Sequence, residues 1–275
     1  MFYETIDIAV ATPGKSDHTA TLTAYVPDSS IPIPPDRLRP AVLICPGGGY
    51  EWVSAREGEP IALDFAAAGV CSFVLNYSCA PARFPQSLCE ALTALAYIRE
   101  NAERFFLDPN RIAVCGFSAG GHLAASVGVF WNNPLVSPYL KKTGETIRPN
   151  ALILAYPVIL SQGACHRESF QALLGKEGCE DSALLNLVSL DKQVTADTPP
   201  TFLWHTAEDA LVPVQNSLSF ASAVAEQNIP VELHIYPKGP HGLSLGDQVV
   251  CGDRKFGENH MSSGWFREAL RFLFD

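Results

Sequence analysis

Hydrophobic positions along the chain follow two patterns that predict β-strands. Residues 5–10 and 21–26 alternate polar and apolar side chains, which is typical of an antiparallel strand with one exposed face. Six later runs are short and continuously apolar, at 41–45, 71–75, 112–115, 152–154, 202–204 and 231–235. Continuous apolar strands are typical of a parallel sheet covered on both faces. We therefore expect a mostly parallel central sheet of about eight strands.

Helix-period patterns separate most of these strands. They lie at 60–68, 86–104, 119–130, 214–227 and 264–274. Alternation of strand and helix builds βαβ units, which place helices on both faces of one doubly wound sheet. The predicted fold class is therefore α/β, with residues 1–275 forming a single domain.

Three stretches interrupt this alternation. Residues 27–40 are rich in proline, which excludes helix and central strand and predicts a surface loop. Residues 132–149 and 161–200 are longer than ordinary loops and leave central strands. They are expected to form a small cap, above all 161–200, and surface insertions without a role are the alternative.

The charge balance argues against nucleic acid and anionic membranes as partners. The chain has 19 basic and 29 acidic residues, a net charge of −10, whereas nucleic acid or an anionic membrane requires a concentrated positive surface. No apolar run approaches the roughly 18 residues of a membrane span, and the N-terminus lacks the basic region of a secretory signal. We expect a cytoplasmic protein, unless a leader has already been removed, and leave a homo-oligomer open.

A candidate nucleophile lies between a predicted strand and a predicted helix. Residues 116–120 read Gly-Phe-Ser-Ala-Gly, the G-x-S-x-G pattern, directly after the strand at 112–115 and at the start of the helix at 119–130. On so tight a turn a serine is strained and exposed, and the helix N-terminus favours negative charge beside it. This context favours Ser118 as a nucleophile over a purely structural turn.

A glycine-rich turn, Pro-Gly-Gly-Gly-Tyr at 46–50, follows the strand at 41–45. Glycine N–H groups can approach a ligand without obstruction by a side chain. Esterases use such a turn to donate hydrogen bonds to an oxyanion, together with the N–H of the residue after the nucleophile, here Ala119. A glycine triplet alone could be a flexible turn, but ahead of a nucleophile turn it predicts an oxyanion hole.

An acid and a base follow in the order that this arrangement requires. Asp209 follows the strand at 202–204, with Glu208 as the alternative acid, and His241 follows the strand at 231–235. A serine hydroxyl is a weak nucleophile until a base accepts its proton, and the base needs an orienting carboxylate. The three side chains together predict a Ser-His-Asp triad.

The remaining histidines are assigned no catalytic part. His122 is predicted to pack or hydrogen-bond on the helix after Ser118, and His205 to shape the pocket. The histidines and acids do not follow a metal-binding spacing, so we expect neither a metal nor a cofactor.

The chain resembles the acetyl-xylan-esterase-like and carboxylesterase (hormone-sensitive-lipase-like) branch of the α/β hydrolases. The resemblance covers most of the chain and is carried by the segments at 46–50, 76–85, 108–126, 206–213 and 240–245. It implies the α/β-hydrolase fold, with oxyanion donors at the second and third glycines, Gly48 and Gly49. Pro46 stands where histidine is commoner in the family. The resulting Pro-Gly-Gly-Gly turn is similar to that of bacterial sugar-ester or xylan esterases, a resemblance that implies an acetylated carbohydrate as the substrate.

The predicted function is therefore a serine esterase that acts on small-molecule, short-chain carboxylic esters, with acetyl groups on sugars or xylo-oligosaccharides as the implied substrates. Tyr50, Trp52 and Tyr156 are expected in the pocket wall, with Glu51 and Trp131 as further candidates. Two alternatives stay open: an amidase or peptidase of the same fold, which usually carries a further large domain, and a non-catalytic binding protein on this scaffold.

Overall fold

One eight-stranded sheet organises the computed structural model, which describes residues 1–28, 38–251 and 260–274. The strands are β1 (Phe2–Ile8), β2 (Ala20–Val26), β3 (Arg39–Cys45), β4 (Cys71–Asn76), β5 (Leu107–Phe117), β6 (Ala151–Ala155), β7 (Thr201–Thr206) and β8 (Val231–Tyr236). Their order is β1-β2-β4-β3-β5-β6-β7-β8, and β2 pairs antiparallel with both neighbours while every later pair is parallel. The mostly parallel sheet predicted from the apolar runs is confirmed. Most of the predicted loop at 27–40 lies outside the described residues.

The helices cover both faces of this sheet. They are α1 (Glu59–Ala67), α2 (Gln86–Glu100), α3 (Ala102–Phe105), α4 (Ala119–Phe130), α5 (Arg167–Gly178), α6 (Ser182–Val188), α7 (Gln215–Glu226), α8 (Gln248–Cys251) and α9 (Trp265–Phe274). Alternate side chains of one strand enter separate cores: Val42 belongs to the core that includes residues of α1 and α9, and Leu43 to the core that includes residues of α2, α4 and α7. In the described part of the chain, no helix combines the length and the hydropathy needed to cross a membrane.

Two predicted helical regions differ from the structure. The helix expected at 86–104 is divided at Asn101, whose side-chain amide donates to the Tyr97 carbonyl at 2.8 Å and competes with the backbone for it. Residues 161–200, expected to form a cap but assigned no helix from the sequence, contain α5 and α6. The N-terminus of α6 has a cap that the sequence shows, because Asp181 accepts the N–H groups of Ala183 and Leu184.

A tryptophan pair fixes α9 against the sheet. Trp265 of α9 stacks on Trp204 of β7, with ring centroids 5.5 Å apart and an interplanar angle of 20°, and both side chains are fully buried. The indole N–H of Trp265 also donates to the Ser244 carbonyl at 2.9 Å. The pair therefore joins a terminal helix, a central strand and the loop that follows β8.

We predict that Trp265→Ala lowers the free energy of unfolding by about 3–5 kcal/mol, because it opens a cavity in a fully packed layer. Chemical denaturation followed by circular dichroism measures this loss. The control is Leu218→Ala on α7, whose side chain is 46% exposed and whose loss should cost under about 1 kcal/mol. Equal losses in the two variants would show that α9 is not anchored by this contact.

Candidate active site

The turn at Ser118 brings β5 and α4 closer together than any side chain would allow. Ser118 has φ 55° and ψ −120°, a strained conformation for a residue with a Cβ. A Cβ on Gly116 would lie 2.1 Å from the Gly120 carbonyl oxygen, and a Cβ on Gly120 would lie 2.1 Å from the Cys45 oxygen. The two glycines of the G-x-S-x-G pattern are therefore required for packing.

The structure brings Ser118, His241 and Asp209 together in one hydrogen-bonded chain. His241 Nε2 lies 2.8 Å from Ser118 Oγ, and His241 Nδ1 lies 2.6 Å from Asp209 Oδ2. Because the carboxylate oxygen can only accept, Nδ1 carries the proton and Nε2 faces the hydroxyl with its lone pair. Glu208, the alternative acid, is exposed and is not part of this hydrogen-bonded arrangement.

The Asp209 carboxylate is held from several sides. Its Oδ1 accepts the N–H groups of Leu211 and Val212 at 3.0 and 2.9 Å, and its Oδ2 lies 3.3 Å from Nε2 of the fully buried His205. Burial alone would raise the pKa of Asp209, but hydrogen bonds from His205 and His241 outweigh it and hold the pKa below its usual value. His205 therefore lies behind the acid, where its Nε2 also contacts the Val212 carbonyl at 2.9 Å, and the expectation that it shapes the pocket is wrong.

The glycine turn offers two backbone donors to the site. The Gly47 carbonyl accepts from Ser54, and the Gly48 carbonyl accepts from Trp52, so the following N–H groups of the planar peptides point the other way. Neither the Gly48 nor the Gly49 N–H has an acceptor among the described residues. Both glycines have positive φ, 124° and 66°, which favours glycine at these positions.

This turn lies directly against Ser118. A Cβ on Gly47 would come within 3.0 Å of the Ser118 Cβ. The N–H of Ala119, the first residue of α4, likewise has no acceptor in the described part of the chain. The three predicted oxyanion donors, Gly48, Gly49 and Ala119, thus carry free N–H groups on segments packed around one serine.

A cleft of about 690 Å³ opens above Ser118. Its wall is formed by residues from the segment after β3, from the start of α5 and from the loops after β7 and β8: Gly48, Gly49, Glu51, Trp52, Val53, Ser54, Ala55, Arg56, Glu57, His166, Glu168, Leu211, His241 and Gly242. Of the predicted wall residues, Trp52 lies here with 60% of its surface exposed, beside Glu51. Among the described residues that line the cleft, none comes from 132–149, so only the second long connection reaches it.

Two predicted wall residues, Tyr50 and Tyr156, need correction. Tyr50 is buried, with its hydroxyl 2.8 Å from His122 Nδ1, and Tyr156 is buried with its ring centroid 5.0 Å from that of His241. Trp131 is also buried and donates its indole N–H to the Asp197 carbonyl at 3.0 Å. Tyr50 and Tyr156 therefore support the site from within the core, and Trp131 lies at the far end of α4 and is not part of the cleft wall.

His166 is a cleft residue that the sequence did not reveal. Its Nδ1 accepts from the Ser169 hydroxyl at 2.8 Å and from the Ser169 N–H at 3.3 Å, which caps α5 and leaves Nε2 as the donor nitrogen. Burial lowers the pKa of His166, although the Glu168 carboxylate opposes this shift. No local pattern marks this residue, because histidine is not among the usual N-cap residues.

The described ranges show no group of three or more His, Cys, Asp or Glu side chains that could hold a metal ion.

Comparison with known proteins identifies relatives across most of the chain. Residues 30–224 match the BD-FAE family. The chain is 36% identical to endo-1,4-β-xylanase B of Butyrivibrio fibrisolvens, covering 82% of this chain and 36% of that protein. It is 31% identical to an acetylxylan esterase of Xylanibacter ruminicola, covering 84% and 45%. The chain thus spans less than half the length of these two curated relatives.

Solved structures show the same architecture. The acetyl ester-xyloside bifunctional hydrolase of Caldicellulosiruptor lactoaceticus superposes with a TM-score of 0.80 at 35% identity, covering 96% of this chain and 90% of that one. The predicted α/β-hydrolase fold is confirmed.

His122 connects three parts of the framework below the site. Its Nδ1 accepts from the Tyr50 hydroxyl at 2.8 Å, and its Nε2 donates to the Val188 carbonyl at 2.9 Å. The ring therefore joins α4 to the glycine turn and to the end of α6, in the packing role that the sequence predicted. Burial lowers the pKa of His122 from 6.5 to about 4.

We predict that His122 makes the protein less stable as the pH is lowered. Below its usual pKa of about 6.5 the unfolded chain protonates the imidazole, whereas the folded chain keeps it neutral down to about pH 4. The unfolded state then binds more protons, so the free energy of unfolding decreases as the pH falls through this window, by up to about 3 kcal/mol.

Urea denaturation of the wild type and His122→Gln, from about pH 7 to about pH 4, measures this contribution. The other titrating groups are common to both proteins, so the difference between the two curves isolates His122. The wild type should lose more stability than the variant, and parallel curves would contradict the assignment.

Proposed function

Because the chain belongs to the BD-FAE family and is an esterase-like α/β hydrolase, we propose that it is a serine esterase that hydrolyses short-chain carboxylic esters with a Ser-His-Asp triad. The observation that carries this proposal is the hydrogen-bonded chain of Ser118, His241 and Asp209 at the floor of an open cleft. A non-catalytic binding protein would have no need of this complete arrangement, which favours catalysis.

The first half of the proposed reaction forms an acyl-enzyme. His241 Nε2 accepts the proton of the Ser118 hydroxyl as Oγ attacks the ester carbonyl carbon. The carbonyl oxygen becomes an oxyanion, which receives hydrogen bonds from the N–H groups of Gly48, Gly49 and Ala119. When the intermediate collapses, the C–O bond to the alcohol breaks, and His241 returns its proton to the leaving oxygen.

The second half releases the acid. A water molecule gives a proton to His241 and attacks the acyl carbon, and the intermediate expels Ser118 Oγ, which regains the proton from His241. Asp209 stays ionised throughout, because His205 and backbone N–H groups hold its pKa low. It orients the imidazole and stabilises the imidazolium that forms in both halves.

The cleft supports a polar alcohol as the leaving group. Trp52 offers an exposed aromatic face, on which the apolar face of a sugar ring can pack, and Glu51 and Glu168 offer acceptors for hydroxyl groups. Two of the relatives are named as an acetylxylan esterase and an acetyl ester-xyloside hydrolase. We therefore propose acetylated sugars or xylo-oligosaccharides as the substrate class, with Trp52 as a substrate contact.

We predict that Ser118→Ala reduces kcat for p-nitrophenyl acetate by about 10⁴-fold or more, because the nucleophile is lost. The matched control is Ser222→Ala, which removes an exposed hydroxyl on α7 and should leave the rate unchanged. Circular dichroism should show the wild-type fold for both variants. Retention of about a tenth of the wild-type rate in Ser118→Ala would disprove its role as nucleophile.

We also predict a preference for short acyl groups. Only Trp52, Val53, Ala55 and Leu211 contribute apolar side chains to the described wall, and the apolar helix α6 contributes none. A long acyl chain therefore gains little of the roughly 0.8 kcal/mol that each buried methylene can supply. In a series of p-nitrophenyl esters, kcat/KM should be highest for acetate or propionate and lower for octanoate. Faster hydrolysis of octanoate or decanoate would favour a lipase-like specificity instead.

A further inference from the structure

A buried carboxylate that the mechanism does not use lies between the two loops that the mechanism needs. Glu57 ends a short 3-10 turn after the glycine turn, and it is 4% exposed. Its Oε2 accepts the Gly47 N–H at 2.9 Å, and its Oε1 accepts the Tyr156 hydroxyl at 2.7 Å. Both oxygens are thus occupied by framework donors, so Glu57 is not free to act as a base.

The first of these contacts acts on the oxyanion turn. Gly47 is the only one of the three glycines of this turn whose N–H has an acceptor among the described residues. The Gly47 carbonyl is held by Ser54, so this residue is fixed at both ends while the next two N–H groups stay free. An anionic acceptor makes such a hydrogen bond stronger than a neutral one. Glu57 therefore sets the orientation of the peptides that carry the donors.

The second contact reaches the histidine loop. The Tyr156 hydroxyl, which donates to Glu57, accepts the Ser244 N–H at 2.9 Å, three residues after His241. The Ser244 hydroxyl donates in turn to the Arg56 carbonyl at 2.8 Å, so Ser244 is bound to the same turn that carries Glu57. The rings of Tyr156 and His241 also pack in a T-shaped arrangement. The loop of the base is therefore fixed by the same cluster as the oxyanion turn.

We infer that Glu57 is a positioning residue that couples the oxyanion turn to the histidine loop, so that the donors of Gly48 and Gly49 and the imidazole of His241 keep one fixed geometry around Ser118. This inference rests on the proposed function. Burial, reinforced by the neighbouring Glu57 carboxylate, raises the pKa of Tyr156 well above its usual value, which keeps its hydroxyl a donor.

Glu57→Gln is the informative change, because it keeps the shape of the side chain and removes one acceptor. The amide nitrogen must face either the Gly47 N–H, another donor, or the Tyr156 hydroxyl, whose own proton then lacks an acceptor. Either choice loosens the geometry that is needed in the transition state, while the side chain keeps its shape at this point of the cleft wall.

The experiment measures kcat and KM for p-nitrophenyl acetate and Ki for 1,1,1-trifluoro-2-butanone, whose adduct with Ser118 places an oxyanion in the hole. Glu57→Gln should lower kcat by about 10–100-fold and raise Ki similarly, with KM within about threefold of wild type. The matched control is the exposed Glu59→Gln at the start of α1, which should keep wild-type values.

A double-mutant cycle with Tyr156→Phe tests the coupling itself. If one cluster holds both loops, Glu57→Gln/Tyr156→Phe should lose little more activity than the worse single variant. Independent factors that multiply in the double variant would overturn the inference, as would a folded Glu57→Gln with wild-type kcat and Ki. Should Glu57→Gln fail to fold, Tyr156→Phe alone must show lower kcat and weaker inhibition at unchanged KM, and wild-type values there would overturn it.

These outcomes separate the inference from the proposed function. A wild-type protein without esterase activity, or a fully active Ser118→Ala, would reject the proposed function. An active wild type whose Glu57→Gln variant is equally active would reject only the positioning role.

Discussion

Direct contact between two backbone turns, without any side chain between them, is the constraint on which the rest of the site depends. A Cβ on Gly120 would lie 2.2 Å from the Pro46 carbonyl oxygen, and a Cβ on Gly47 would lie 2.9 Å from the Phe117 oxygen. Only glycine permits this distance. The contact brings the free N–H groups of the glycine turn next to Ser118, which itself has a strained backbone conformation.

The sheet supplies the remaining parts by its topology. Five adjacent parallel strands end at the same edge, where open α/β sheets place their ligands. Each strand is followed by one part of the site: the glycine turn after β3, Ser118 after β5, Tyr156 after β6, Asp209 after β7 and His241 after β8. Residues far apart in the chain therefore meet without any long-range loop having to fold over the site.

Buried polar groups then hold these parts in place, and each of them is satisfied by groups from different elements. Asp209 is shared between two imidazoles and two backbone N–H groups, and Glu57 between a tyrosine and the glycine turn. A buried charge is tolerated only when such partners are present, so loss of one partner disturbs more than one loop. In the proposed mechanism, the geometry around Ser118 thus depends on these buried carboxylates as well as on the residues that react.

The sequence by itself predicted the strand and helix alternation and the sheet, because these depend on local periodicity, and the Ser118 turn, because it is a five-residue pattern. It also predicted the order in which acid and base follow, because each comes directly after a predicted strand. Only the tertiary structure decided what the isolated polar side chains do. The expected pocket residues Tyr50, Tyr156 and His205 are buried and support the site from below. The cleft is lined instead by residues that the sequence did not indicate, among them His166 and Glu57. Glu57 and Tyr156 are hydrogen-bonded although they lie 99 residues apart in the sequence, and this contact depends on which strands become neighbours in the sheet. No local pattern carries that information, because a hydrogen bond depends on distance in space and not on distance along the chain.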